Sequence, residues 1–164
     1  MKIATAFAAA IVAGACATVP SFALDKTDAF VAAAAQSNMS EISLSQLALQ
    51  KSRNPRILSF AQHMIDDHTK AGTKLAIVAR QDHVALPDAP DAEHASRLAD
   101  LTARTGDFDR AYVDTMLADH VATIALFSDF ADNGKDLYLK QFAQNTLPTL
   151  IAHKAMIETL QPKM

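Results

Sequence analysis

The stretch ALQKSRNPRIL, Ala48 to Leu58, decides the fold. Asn54 is a preferred residue at a helix N-cap, and Pro55 suits the first helical position, where a missing N–H costs nothing. Only Lys51 to Arg53 separates that start from the apolar periodicity upstream. A linker this short forces the two flanking helices to run antiparallel as neighbours. The first is expected over about residues 27–50, with Thr27 or Asp28 as its cap, and the second over about 54–82.

Residues 83–106 read differently. Pro87 and Pro90 interrupt any helix, and Asp91 to Ala103 is long enough for one short helix. Thr105-Gly106-Asp107 restarts the chain, with Asp107 as a cap, and a third long helix follows over about 107–133. Gly134 suits a left-handed C-terminal position. A fourth long helix begins near Lys135 or Asp136 and covers about 136–161, with Pro148 inside it about one turn before His153, where a kink is expected. Ala and Leu are abundant, Gly is rare, and no segment alternates apolar with polar long enough for a strand. The fold class is all-α. Hairpin, long crossover and second hairpin together specify a four-helix bundle of ferritin-like connectivity, the crossover carrying a short helix.

The N-terminus has another purpose. Met1-Lys2 is positive, Ile3 to Val19 is apolar, and Ser21-Phe22-Ala23 supplies small residues around a cleavage point. Residues 1–23 read as a secretory signal peptide, and residues 24–164 as one bundle domain. A periplasmic or secreted location follows. The apolar stretch is short for a membrane span, and no later segment is apolar over that length. Ala13-Gly14-Ala15-Cys16 resembles a lipidation signal, so anchoring through Cys16 is the alternative to cleavage after Ala23. Cleavage after Ala23 removes Cys16, the single cysteine, and with it disulfides, thiol catalysis and cysteine-ligated metal. It also removes Lys2, leaving 14 Lys and Arg against 18 Asp and Glu, a net charge of −4. Without a basic patch, a nucleic-acid partner is not expected. No nucleophile–base pair or glycine-rich phosphate loop points to an enzyme.

Steps of three and four trace one apolar stripe per long helix. The first passes through Phe30, Ala34, Ser37, Glu41, Leu44 and Ala48, the second through Ile57, Ala61, Met64, His68, Ala71 and Leu75. The third takes Val113, Met116, His120, Thr123, Phe127 and Phe130, the fourth Leu139, Phe142, Thr146, Leu150, His153 and Ile157. Each stripe carries one ionisable residue near its middle: Glu41, His68, His120 and His153. Glu41 lies about 11 residues before the first hairpin turn and His68 about 16 after it, an axial offset of roughly 7 Å. Side chains lean towards their own helix N-terminus, which narrows that gap. All four residues are therefore expected in one mid-bundle layer. Such a layer suits either a single bound metal ion or a metal-free polar core that fixes helix register. Asp67 and Asp119, each just before a stripe histidine, are read as outer acceptors on a neighbouring helix or as solvated charges. His63, His83 and His94 are read as surface residues.

The chain resembles the bacterial family catalogued as domain of unknown function 4142 along nearly its whole mature length. The resemblance rests on Phe30-Val31 with Ser37-x-Met39-x-Glu41, and on Phe60-Ala61-x-x-Met64 with Asp67-His68. It continues through Leu86-Pro87, Phe108-Asp109-x-x-Tyr112, Met116-x-x-Asp119-His120 and Leu147-Pro148-x-Leu150-x-x-His153. It implies an exported, ferritin-like helical protein and little about activity. Members are often labelled outer membrane proteins, but no barrel-like strand pattern is present. Ferritin-like di-iron proteins carry Glu-x-x-His on two helices. Here the residues three before His68 and His153 are Ile65 and Leu150, so the bridging carboxylates are missing. One Glu and three His suit a mononuclear zinc or copper site better than two irons, which argues against oxidase or iron-storage activity. The alternative is a non-enzymatic module, stress-related or partner-binding, whose polar layer holds no metal.

Overall fold

A computed structural model describes residues 26–161. The expected leader and Cys16 lie outside them. Among the described residues there are five helices and no strand: α1 (Lys26–Lys51), α2 (Pro55–Gln81), α3 (Ala92–Ala103), α4 (Phe108–Asn133) and α5 (Leu137–Leu160). No helix among them is long and apolar enough to cross a membrane.

Local chemistry sets the first hairpin. The Asn54 side chain accepts from the Arg56 N–H at 3.0 Å, and Pro55 opens α2. The Ser52 hydroxyl accepts from the Asn54 N–H at 3.1 Å, closing the turn on itself. Asp136 caps α5 in the same way, accepting from the Leu139 N–H at 2.8 Å. Asp91 caps α3 through the His94 N–H at 2.9 Å. Thr27 and Asp28 sit inside the first turn of α1 rather than at its cap.

Two further expectations at helix ends are corrected. Asp107 occupies the N-cap position of α4 but has left-handed backbone angles (φ 50°, ψ 30°), and its side chain makes no capping bond. Only its carbonyl joins the helix, accepting from the Ala111 N–H at 3.0 Å. Gly134 is not left-handed, with φ −61° and ψ 139°. Glycine is needed there for space: its N–H bonds the Phe130 carbonyl at 2.8 Å, and a Cβ would lie 2.5 Å from that oxygen. Pro148 lies within α5, which remains helical on both sides of it.

The helices α1 and α2 pack together, as do α4 and α5, and α1 meets α4 while α2 meets α5. The crossover returns α3 along the α1/α4 side. Lys51 fastens it: the ammonium donates to the carbonyls of Leu101 (3.4 Å), Thr102 and Arg104 (2.9 Å) at the C-terminal end of α3, where helix carbonyls lack partners.

Apolar side chains form two separate clusters. One is built around Phe30, Leu75, Phe127, Phe130 and Leu139. Phe30 stacks on Phe130 at 3.9 Å and meets Phe127 edge-on at 5.1 Å. The other is built around Leu44, Ile57, Met64, Tyr112, Met116 and Ile157. Most stripe residues are buried, with Ala71 and Thr146 half-buried. The ionisable stripe residues belong to neither cluster and occupy the band between them.

Candidate metal centre

The structure brings Glu41, His68, His120 and His153 together, each nearly or wholly excluded from solvent. The axial offset expected between Glu41 and His68 is closed by their side chains: Glu41 Oε2 lies 2.8 Å from His68 Nε2 and 3.7 Å from His120 Nε2. His120 Nε2 is 3.5 Å from His153 Nδ1. One ring nitrogen from each of the three histidines falls within 4.8 Å of the others.

The outer nitrogens have their own partners. His120 Nδ1 lies 2.9 Å from the Met116 carbonyl, His153 Nε2 lies 3.3 Å from Asp67 Oδ2, and His68 Nδ1 lies 3.2 Å from Asn38 Oδ1. A carbonyl and a carboxylate only accept, so they assign the proton to the outer nitrogen of His120 and His153. The Asn38 amide oxygen makes the same assignment for His68. Gly72 leaves room for that amide, since a Cβ there would come within 2.7 Å of Asn38 Nδ2. In the neutral rings, the inward nitrogens His68 Nε2, His120 Nε2 and His153 Nδ1 then carry bare lone pairs. They converge beside a carboxylate oxygen.

Glu41 Oε2 and His68 Nε2 are close but poorly aligned. Each remains without a hydrogen bond despite the 2.8 Å separation. A buried carboxylate oxygen and a buried imidazole nitrogen this close without a hydrogen bond are a reasonable pair of ligands. The other carboxylate oxygen is fixed: Ser37 donates to Oε1 at 3.2 Å, and the Ser37 and Thr123 hydroxyls are 2.8 Å apart.

Charge follows from burial and neighbours. Burial by itself would raise Glu41, but the imidazoles of His68 and His120 and the Ser37 hydroxyl outweigh it and hold the carboxyl below its ordinary value. Burial lowers His120, with Glu41 pulling the other way. Burial, reinforced by His68, lowers His153 to about 4. At neutral pH the layer therefore contains a carboxylate and at least two neutral imidazoles, the forms in which these groups ligate metals.

The flanking residues divide. Asp67 is half-buried and accepts from His153 across the α2/α5 contact. Its bonds to Lys70 and His153 outweigh the effect of burial and keep its carboxyl below the ordinary value. Asp119 meets neither expectation. It is buried, and its partner is Arg97 of α3 rather than a histidine of the layer. Burial pushes it up to about 6 against the pull of that guanidinium. His83 is exposed, and His94 is half-buried on Asp91. His63 is exposed, yet its ring centroid lies 5.4 Å from that of His153 and its Nε2 lies 3.4 Å from Asp67 Oδ2. His63 and Asp67 are four residues apart, hence on one flank of α2, but nothing in that spacing says that α5 covers the flank.

The family with the description "Domain of unknown function (DUF4142)" matches residues 13–160. This chain belongs to that family. A comparison with curated proteins finds none that matches. Among solved structures, "CopM in the Cu(II)-bound form" superposes with a TM-score of 0.67 at 16% identity, covering 80% of this chain and 93% of that chain. At that identity the likeness concerns the fold, and it agrees with the helical bundle seen here.

Proposed function

We propose that this DUF4142 protein is exported and binds one transition-metal ion, copper or zinc, through Glu41, His68, His120 and His153. One observation carries the reading: three buried imidazoles each have an outer acceptor on the far nitrogen, so their bare nitrogens converge on one point beside Glu41. Outer partners of this kind fix ring orientation in metal sites. Burial that keeps His120 and His153 neutral acts in the same direction. A copper-bound protein of the same fold adds support for copper. The donor set of one carboxylate and three imidazoles suits a single ion, since bridging carboxylates for a second are absent.

A second reading rests on a different observation. Glu41 and His68 are close enough to form a buried ion pair if His68 carries a proton, so the layer could exist as a metal-free register device. Thermal melts of untagged protein separate the two. The proposed site predicts stabilisation by Cu(II) or Zn(II) of about 2.7 kcal/mol at a hundredfold excess over Kd. His120→Ala removes most of that gain and His94→Ala keeps it. Equal melting temperatures with metal and with chelator, in all three proteins, would leave only the polar-core reading. N-terminal sequencing of the mature protein checks export. A start at Leu24 is expected, and an intact Met1 refutes it.

A further inference from the structure

His153 has two useful faces. Its Nδ1 points to the buried layer and its Nε2 points out to Asp67 Oδ2, 3.3 Å away. Asp67 Oδ2 also lies 3.4 Å from His63 Nε2. One ligand atom from each of the three residues falls within 4.8 Å of the other two. Tetrahedral sites with bonds of about 2.1 Å place neighbouring ligands about 3.4 Å apart. The two separations to Asp67 Oδ2 match that edge. Asp67 Oδ1 is taken by Lys70 at 3.0 Å, which leaves Oδ2 as the available oxygen. The cluster grades from the exposed His63, whose side chain is 48% accessible, to the buried His153. It therefore joins solvent to a layer that has no exposed member.

We infer that His63, Asp67 and the outward nitrogen of His153 form a solvent-open capture site for a divalent transition-metal ion, which then passes to the buried layer through the His153 ring. This rests on the metal-binding reading of that layer. The ring serves one site at a time. With an ion on Nε2, its proton resides on Nδ1 and faces His120 Nε2. When the ion moves inward to Nδ1, the proton returns to Nε2 and the bond to Asp67. Proton count is unchanged and no redox partner is required. His63 and Asp67 are reached by water, as expected of a site that must release its ion, whereas the inner layer is closed.

Stopped-flow mixing of untagged metal-free protein with Cu(II), followed by visible absorbance, tests the idea alongside equilibrium dialysis. His63→Ala changes one exposed residue on a helix and is expected to slow loading at least tenfold, while inner-layer affinity stays within about threefold of wild type. Asp67→Asn is expected to slow loading similarly. His120→Ala is expected to retain one weakly held ion that His63→Ala/His120→Ala loses. Wild-type loading rates in both His63→Ala and Asp67→Asn overturn the proposal. So does a His120→Ala protein whose binding equals that of the double variant. If wild type holds an ion only weakly, and His63→Ala abolishes it while His120→Ala does not, the capture site stands and the buried layer fails as a metal site.

Discussion

Replacing His68 by Ala in metal-free protein isolates what holds the buried carboxylate. Glu41 is wholly inaccessible, and in the metal-free register reading His68 is its ion-pair partner, with Nε2 at 2.8 Å. After the substitution, Glu41 keeps the Ser37 bond at 3.2 Å and His120 at 3.7 Å, a ring whose protonation burial disfavours. Stranding a buried charge costs about 3–5 kcal/mol. Glu41 has an escape, however, because it can take up a proton. From its ordinary value of 4.5, neutralising it at pH 7 costs about 3.4 kcal/mol, which caps the electrostatic part of the loss. The remainder is the cavity left by the imidazole. The sign of the pH dependence follows. In the variant the folded carboxyl lies above its unfolded value, so its stability is fully present below about pH 4.5 and declines as pH rises. The deficit of His68→Ala against wild type should shrink by about 1.4 kcal/mol for each pH unit below 7 until that limit. Urea unfolding followed by circular dichroism, with chelator present, measures it. Glu41→Gln/His68→Ala should recover about 2–3 kcal/mol relative to the sum of the single changes. A deficit independent of pH together with additive single changes would refute the assignment of Glu41 as a buried charge held by His68.

Three further outcomes are expected. His153 is lowered to about 4 from an ordinary 6.5, so its contribution is present above about pH 6.5 and is lost as pH falls towards 4; between pH 7 and pH 5, metal-free wild type should lose about 2 kcal/mol more than His153→Gln in the same urea assay. Phe30→Ala removes a buried ring that touches both Phe127 and Phe130 and should cost about 3–5 kcal/mol in urea unfolding, with the metal-induced shift in melting temperature preserved. Gly134→Ala sets a Cβ against the Phe130 carbonyl and should lower stability by about 1–3 kcal/mol even though neither neighbour belongs to the layer, which differential scanning calorimetry would register.

Periodicity alone makes much of this protein legible. Alternating steps of three and four select Glu41, His68, His120 and His153, because a side chain's angle around its own helix is a local property. The short 51–53 linker sets the neighbours in the same local way. What escapes the sequence depends on which other surface arrives. His63 sits five residues before His68, away from the stripe, and matters only because α5 lies against that flank of α2. Asp119 reads as a surface carboxylate until α3 brings Arg97 to it, and how the crossover docks is not encoded in any repeat. Gly134 carries a turn signal, but the signal names the residue without its reason. Left-handed backbone and a close carbonyl both call for glycine, and only geometry tells them apart.

The Lys51 clasp has an effect beyond tidying a loop end. By tying the end of α3 to the first hairpin, it lays the crossover across the α1/α4 side of the bundle, where Arg97 also pins Asp119 one residue from His120. The opposite α2/α5 side has no such strap among the described residues, and it is there that His63 and Asp67 stand. The crossover thus covers one side of the bundle and leaves the other bare. In the loading route proposed above, the ion would enter from the α2/α5 side, a direction set by the path of a connecting segment on the other.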